Sequence, residues 1–146
     1  MVAYSFKKQF GPPILAGTKA QTIRAERAGR SRHARPGELV QLYTGMRTRQ
    51  CRRLGESQCV EVLPVRLVFS KRSAAELMQV GERYLVTSSQ MDAFALADGF
   101  ADLGAMIRFW WAEHPPEGGN VLTFEGILIR WQPLAPADAL DIAGAA

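Results

Sequence analysis

The sequence predicts a small α+β domain, a mixed β-barrel with flanking short helices. Three observations predict it. Short stretches rich in β-branched and apolar residues recur, with turn residues between them. Few stretches carry helical spacing. Two long basic loops separate the early strands. The chain has 146 residues, one domain's worth and enough to bury a core. Apolar residues make up 47% and charged residues 22%, an ordinary globular balance. No repeat or linker divides it, so residues 1–134 are expected to form one domain. Residues 135–146, Ala-rich with Pro136 and two aspartates, are expected to be a flexible tail.

Residues 2–6 alternate apolar and polar, as a first strand does. Gly11, Pro12 and Pro13 break the chain. Ile14, Leu15 and Ala16 follow as one helical turn, with proline at its start and Gly17 as its stop. Residues 21–24 contain β-branched Thr22 and Ile23 and read as a strand or an ordered loop. Residues 25–35 are basic and without period, the pattern of a mobile loop. Pro36 and Gly37 turn the chain into a strand over 38–44, and residues 45–57 form the second basic loop. A β-rich run over 59–69 contains Pro64, which predicts a bend or an edge position. Residues 84–87 suggest another short strand. The pattern then changes. Residues 90–97 are short and helical, and Asp98, Gly99 and Phe100 break them. Leu103, Met106, Ile107, Trp110 and Trp111 fall at helical spacing, so 102–113 is an amphipathic helix facing a core. Pro115 and Pro116 stop it. Residues 121–131 form the last strand.

Charge is divided unevenly. Residues 1–72 hold 15 Lys and Arg against 4 Asp and Glu, a net of +11. Residues 73–146 hold 3 against 10, a net of −7. Such asymmetry points to a polyanionic partner, or to a basic surface that pairs with the acidic half. No apolar run approaches the roughly 18 residues that span a bilayer. The first ten residues place lysines after an apolar start, so no signal peptide is expected. A cytoplasmic location without a membrane partner follows as an expectation. Cys51 and Cys59 are expected to be reduced and structural, because neither a disulfide framework nor a zinc spacing is present. No metal or other cofactor is expected.

Residues 17–24 read Gly-Thr-Lys-Ala-Gln-Thr-Ile-Arg. This run resembles the opening motif of the ASCH family, Gly-x-Lys-x-x-Thr-Ile-Arg. That motif follows a short helix ending Ile-Leu-Ala-Gly, present here at 14–17. Pro36-Gly37-Glu38 before a strand, Asp98-Gly99-Phe100 before a helix, and Trp131 in the closing strand keep the family's order. The resemblance covers roughly residues 2–132. It implies a PUA-like barrel with a cleft beside the opening motif. Family members have been linked to RNA binding; some resemble amidohydrolases of acetylcytidine, and others behave as ribonucleases.

In the amidohydrolase members a lysine, a threonine and an acidic residue are proposed to act. The matching positions here are Lys19, Thr22 and Asp98, the last usually Glu in the family. Thr22 would supply a nucleophilic hydroxyl. Lys19, desolvated in a cleft, would accept its proton. Asp98 would orient Lys19 or relay a proton. Plainer roles stand beside these: Thr22 as a strand residue, Lys19 as a solvated charge after a helix, Asp98 as the cap of the helix that follows. Arg24 is expected to bind an anion or a carbonyl edge, or else to pair with an acid such as Glu38. Arg27, Arg30, Arg32 and Arg35, and then Arg47, Arg49, Arg52 and Arg53, are read as phosphate contacts or as solvated surface. Tyr43 is read as a base-stacking residue or a rim tyrosine. Trp110 and Trp111 point in different directions, one into the core and one to a rim. The sequence therefore predicts an RNA- or nucleotide-binding domain that grips its ligand beside the 17–24 motif. A small hydrolase on the same cleft, cutting acetylcytidine or RNA, is the alternative. The basic loops favour a ligand that carries phosphate.

Overall fold

Apolar and β-branched runs without helical period dominate the chain, and the backbone follows them into seven strands. The computed structural model describes residues 1–27, 32–71 and 74–134. The strands are β1 (Val2–Phe6), β2 (Gln21–Arg24), β3 (Leu39–Thr44), β4 (Arg52–Ser70), β5 (Ala74–Val80), β6 (Arg83–Tyr84) and β7 (Val121–Trp131). A 3-10 turn at Lys8–Phe10 leads into α1 (Gly11–Ala16); α2 spans Ser88–Ala97 and α3 spans Leu103–Glu113.

β4, 19 residues long, is the spine. Its first part pairs antiparallel with β3, from Thr44↔Arg52 to Leu39↔Gln58. Its second part pairs with β7 on one edge and β5 on the other. The β7 register shifts between Cys59 and Glu61, where β4 passes from one set of partners to the next. β1 joins β3 in parallel, β2 joins β7 antiparallel, and β6 extends β5. Leu42, Leu67, Phe69, Ile129 and Trp131 are fully buried between the curled sheet and the helices, and α3 adds Met106, Ile107 and Trp110.

The α+β class holds, but the barrel is not closed. The ladder runs β1–β3–β4–β7–β2, and among the described residues no backbone pairing joins β2 to β1. A side chain spans that seam instead. Arg24 Nη2 on β2 donates to the Ser5 carbonyl on β1 at 2.7 Å.

Other local differences have plain causes. Arg52 and Arg53 lie in β4 rather than in a loop, because β3 extends the ladder to them. Pro64 lies where β4 has a ladder partner, β7, on one side only, the edge position that a missing N–H allows. Pairing with β5 begins one residue later, at Val65, and the Pro64 carbonyl accepts from the Gly81 N–H. β5 has no counterpart in the expected elements. The strand expected over 84–87 shrinks to Arg83–Tyr84, because Thr87 caps α2 in a box with Gln90. Asp102, not Asp98, caps α3, its carboxylate accepting from Ala105 N–H at 2.8 Å. The expected tail over 135–146 lies outside the described residues, as do 28–31 of the first basic loop. Among the described residues no helix is long and apolar enough to cross a membrane.

His33 fastens the first basic segment to the seam. Its ring stacks on Tyr4 with centroids 5.8 Å apart. Nε2 lies 2.7 Å from the Ala25 carbonyl, and Nδ1 lies 3.0 Å from the Tyr4 hydroxyl. A carbonyl only accepts, so we assign the ring proton to Nε2, leaving Nδ1 to accept from Tyr4. Burial pushes the His33 pKa below its ordinary 6.5. A depressed folded pKa means that the unfolded chain binds the proton more tightly. The histidine's contribution is therefore fully present above pH 6.5 and is lost as pH falls through the folded value. In urea titrations the wild type is expected to lose stability between pH 7 and pH 5.5 more steeply than His33→Phe; parallel slopes would contradict this role.

Candidate functional site

The consecutive segments after α1 and in β2 meet the distant end of α2 at the seam. α1 ends at Gly17, whose φ of 82° is left-handed. The Thr18 and Lys19 N–H groups both bond back to the Pro13 carbonyl, which turns Lys19 inward. α2 ends at Asp98, and Gly99 follows with φ of +99°. A Cβ on Gly99 would stand 2.7 Å from Lys19 Cδ and 2.9 Å from Phe10 Cδ1. Glycine is thus required both by the backbone and by the lysine stem. β2 supplies Thr22 and Arg24 from the opposite side.

Lys19 and Asp98 are 3% and 5% exposed, which rules out a solvated lysine. Lys19 Nζ donates to the Asp98 carbonyl at 2.5 Å and lies 3.7 Å from its Oδ1. The ammonium also sits 4.8 Å from the Phe10 centroid. Gln21 Nε2 donates to Asp98 Oδ1 at 3.3 Å. Gln21 Oε1 accepts from Arg130 Nη2, and Arg130 Nη1 pairs with Glu61 at 2.7 Å. Burial pushes the Lys19 amine down and the Asp98 carboxyl up. Their mutual attraction opposes both shifts, while Arg24 pushes Lys19 further down. Both groups are displaced toward their neutral forms.

Thr22 Oγ1 accepts from Arg24 Nε at 3.0 Å. The Arg24 guanidinium lies over the Phe6 and Tyr4 rings at 5.0 and 5.4 Å. It does not pair with Glu38, which is held by Arg32 instead at 2.6 Å. Lys19, Thr22, Arg24 and Asp98 all line one cavity of about 320 Å³. Its walls are aromatic: Phe6, Phe10, Phe100, Phe109, Trp110 and Phe124. At its mouth Lys7 pairs with Glu113 at 3.1 Å, and the His114 ring lies tilted against Trp110 with centroids 4.7 Å apart. Such a space suits a planar ring with a polar edge.

The sequence-predicted residues divide accordingly. Lys19, Thr22, Asp98 and Arg24 are brought together. Arg27 stands at the seam, 5.4 Å from the Tyr4 ring, without lining the cavity. Tyr43, Arg47 and Arg49 lie elsewhere: Tyr43 sits on β3 opposite Ser5 and Arg53, and the two arginines are exposed on the β3–β4 turn. Arg32 and Arg53 are engaged by Glu38 and Glu56. Arg30 lies outside the described residues. Of the tryptophans, Trp110 is buried and lines the cavity, while Trp111 is half-buried. Hydrogen bonds engage Lys19 with Asp98 and Thr22 with Arg24, and none joins Lys19 to Thr22 among the described residues.

No protein-family model, no curated protein and no solved structure matches this chain.

Lys19→Met removes the partner of a buried carboxylate, a change that typically costs about 3–5 kcal/mol. Asp98 then folds best protonated. A raised folded pKa favours stability at low pH, so the deficit is expected to shrink as pH falls from 7 toward 5. Chemical denaturation at both pH values checks this; a pH-independent deficit would refute it.

Proposed function

We propose that the chain binds RNA or a nucleotide by taking one base into the cavity beside β2. One observation carries this reading: an aromatic-walled cavity of about 320 Å³ whose polar wall is Lys19, Thr22, Arg24 and Asp98. Every nucleobase offers a π-face to phenyl walls and a polar edge to hydrogen-bonding groups. Arg24 spends Nε and Nη2 on Thr22 and Ser5, which fixes its plane and turns the remaining donors to the ligand. The likeness of residues 17–24 to the ASCH opening motif supports the same reading, because it implies a PUA-like fold with a cleft beside that motif. The +11 balance of residues 1–72 supplies attraction for phosphates.

A second reading, hydrolysis of an acyl amide on that base, is favoured by the buried Lys19–Asp98 pair. Titratable groups displaced toward neutrality beside a hydroxyl are what acyl transfer needs. Thr22 Oγ1 attacks the acyl carbon while its proton passes to Lys19, whose unprotonated form burial favours. The carbon–nitrogen bond breaks, and Lys19 returns the proton to the leaving nitrogen. Water then cleaves the threonine ester, releasing the carboxylic acid and restoring the hydroxyl. Arg24, beside Thr22, stabilises the oxyanion. This route requires Lys19 to turn from the Asp98 carbonyl toward Thr22 when substrate enters.

Arg24→Ala is expected to weaken binding of a short single-stranded RNA at least tenfold, and wild-type binding is expected to fall steeply as salt rises. Binding that is absent, salt-insensitive or indifferent to Arg24 would overturn the reading. For the chemistry, mass spectrometry of an RNA carrying one acetylated cytidine decides. Acetyl loss is expected with the wild type and is expected to drop at least 100-fold in Thr22→Val; undiminished turnover in that variant removes Thr22 as nucleophile.

A further inference from the structure

A second depression, of about 700 Å³, begins where the cavity ends. The two share Ser5, Phe6 and Lys7 as a common wall. Beyond that wall the groove is lined by Lys8 from the 3-10 turn, by Gly11 and Pro12 from the start of α1, by Gln50 from the β3–β4 turn and by Arg52 at the start of β4. Lys7, Lys8 and Arg52 give it three cations, and no carboxylate is among its lining residues.

This wall is already built before any ligand arrives. Thr48 Oγ1 donates to the Gly45 carbonyl at 2.6 Å and accepts from the Gln50 N–H at 3.2 Å. The Cys51 N–H bonds to the Thr48 carbonyl at 3.2 Å. Arg52 then opens β4, held in register opposite Thr44. Arg47 and Arg49, exposed on the same turn, extend the positive surface outward. Lys8, Arg47, Arg49 and Arg52 do not line the base cavity. A ligand contained in that cavity would leave them unused.

We propose that this groove carries the sugar–phosphate strand of the captured base, with Lys8 and Arg52 as its phosphate contacts. The ligand is then single-stranded RNA rather than a free nucleoside. The assignment rests on the base-binding reading of the adjoining cavity. A base leaves such a cavity through its sugar, and the phosphate is the next group along the chain. The first wall it meets is the one shared by cavity and groove. The groove's larger volume and like-signed lining match a continuous anionic strand. An acidic peptide would feel the same charges, but the stacking walls beside the groove give it no use for the cavity.

The test uses the full chain, a fluorescein-labelled single-stranded RNA hexamer of mixed sequence, and cytidine monophosphate. Fluorescence anisotropy across a salt series reads RNA affinity, and calorimetry reads the mononucleotide. The Lys8→Gln, Arg52→Gln double variant should keep its melting temperature, since both side chains are exposed. Its RNA affinity should fall about tenfold at low salt. Its salt slope should fall by about 1.4, or about 0.7 for each lost contact to a single strand. Mononucleotide affinity should change less than about twofold, because its single phosphate ends at the shared wall beside Lys7, short of Lys8 and Arg52. An unchanged RNA affinity and slope would overturn the groove, as would wild-type protein that binds no RNA at low salt. Displacement of the RNA by hexaglutamate as readily as by unlabelled RNA would also overturn it. Arg24→Ala separates the two proposals. If it leaves RNA and mononucleotide binding intact while the double variant loses RNA, the cavity reading fails, and with it the captured base, while Lys8 and Arg52 remain RNA-phosphate contacts.

Discussion

Arg24 occupies the gap between β1 and β2, and the position of every site residue follows from that gap being open. Had β2 paired with β1 through its backbone, the sheet would have closed and its interior would have filled with side chains. Instead the ladder ends at β2, and one guanidinium reaches the Ser5 carbonyl across the seam. A planar cation with several donors can tie two strands at one point and still present an edge to a ligand. The gap is lined by whatever the flanking segments bring to it: Lys19 after α1, Asp98 after α2, and phenyl rings from the 3-10 turn, the α2–α3 link and α3. Gly99 sets how close those segments come, because any side chain there would displace the lysine stem.

The buried Lys19–Asp98 pair is costly as a structural device. Replacing such a pair with apolar residues is often neutral or stabilising, so burial of two charges is weak evidence of a stabilising role. Its surroundings point the other way. Gln21 could present either end of its amide to Asp98; Arg130 takes the oxygen, so the NH2 group faces the carboxylate. Glu61 in turn holds Arg130. A chain of three groups, Glu61, Arg130 and Gln21, thus fixes the orientation of one carboxylate beside one lysine. Arrangements of this kind are what a reactive or ligand-gripping site requires, since an acid or base must be held in place before it can act.

Much of the local structure was legible because it depends on local signals. The spacing of Leu103, Met106, Ile107 and Trp110 marks α3, with its start one residue late because Asp102 is the cap. The order of residues 17–24 marked Lys19, Thr22 and Arg24, and the break at 98–100 marked Asp98. What was not legible depends on partners far away in sequence. The β4 residues 52–58 look like loop until β3 is laid beside them. Closure of the barrel is a property of two edges, and nothing in either edge alone says that they fail to meet. The cavity walls come from several segments, and a lone Phe6 or Phe109 carries no sign of that use. Arginines were the least readable. Their number alone reads as phosphate contacts or solvated surface, whereas Glu38 and Glu56 engage two of them.

That engagement changes where the positive charge is felt. Arg32 forms two hydrogen bonds to Glu38, and with the Arg35 N–H it holds the Glu38 carboxyl down to about 2. These two charges cancel at any physiological pH. Lys7 is matched by Glu113 and Arg66 by Glu125, so acidic residues of the second half meet basic residues of the first along β7 and α3. The net of +11 over residues 1–72 therefore overstates the field at most of the surface. Unmatched cations gather instead in the groove lined by Lys8 and Arg52, with Arg47 and Arg49 exposed on the adjoining β3–β4 turn. Surface charges act over about 8–10 Å at physiological salt, so their grouping counts for more than their total. Cations in a groove that shares a wall with the aromatic cavity therefore set the sign of the field at its mouth more than the chain's total charge does.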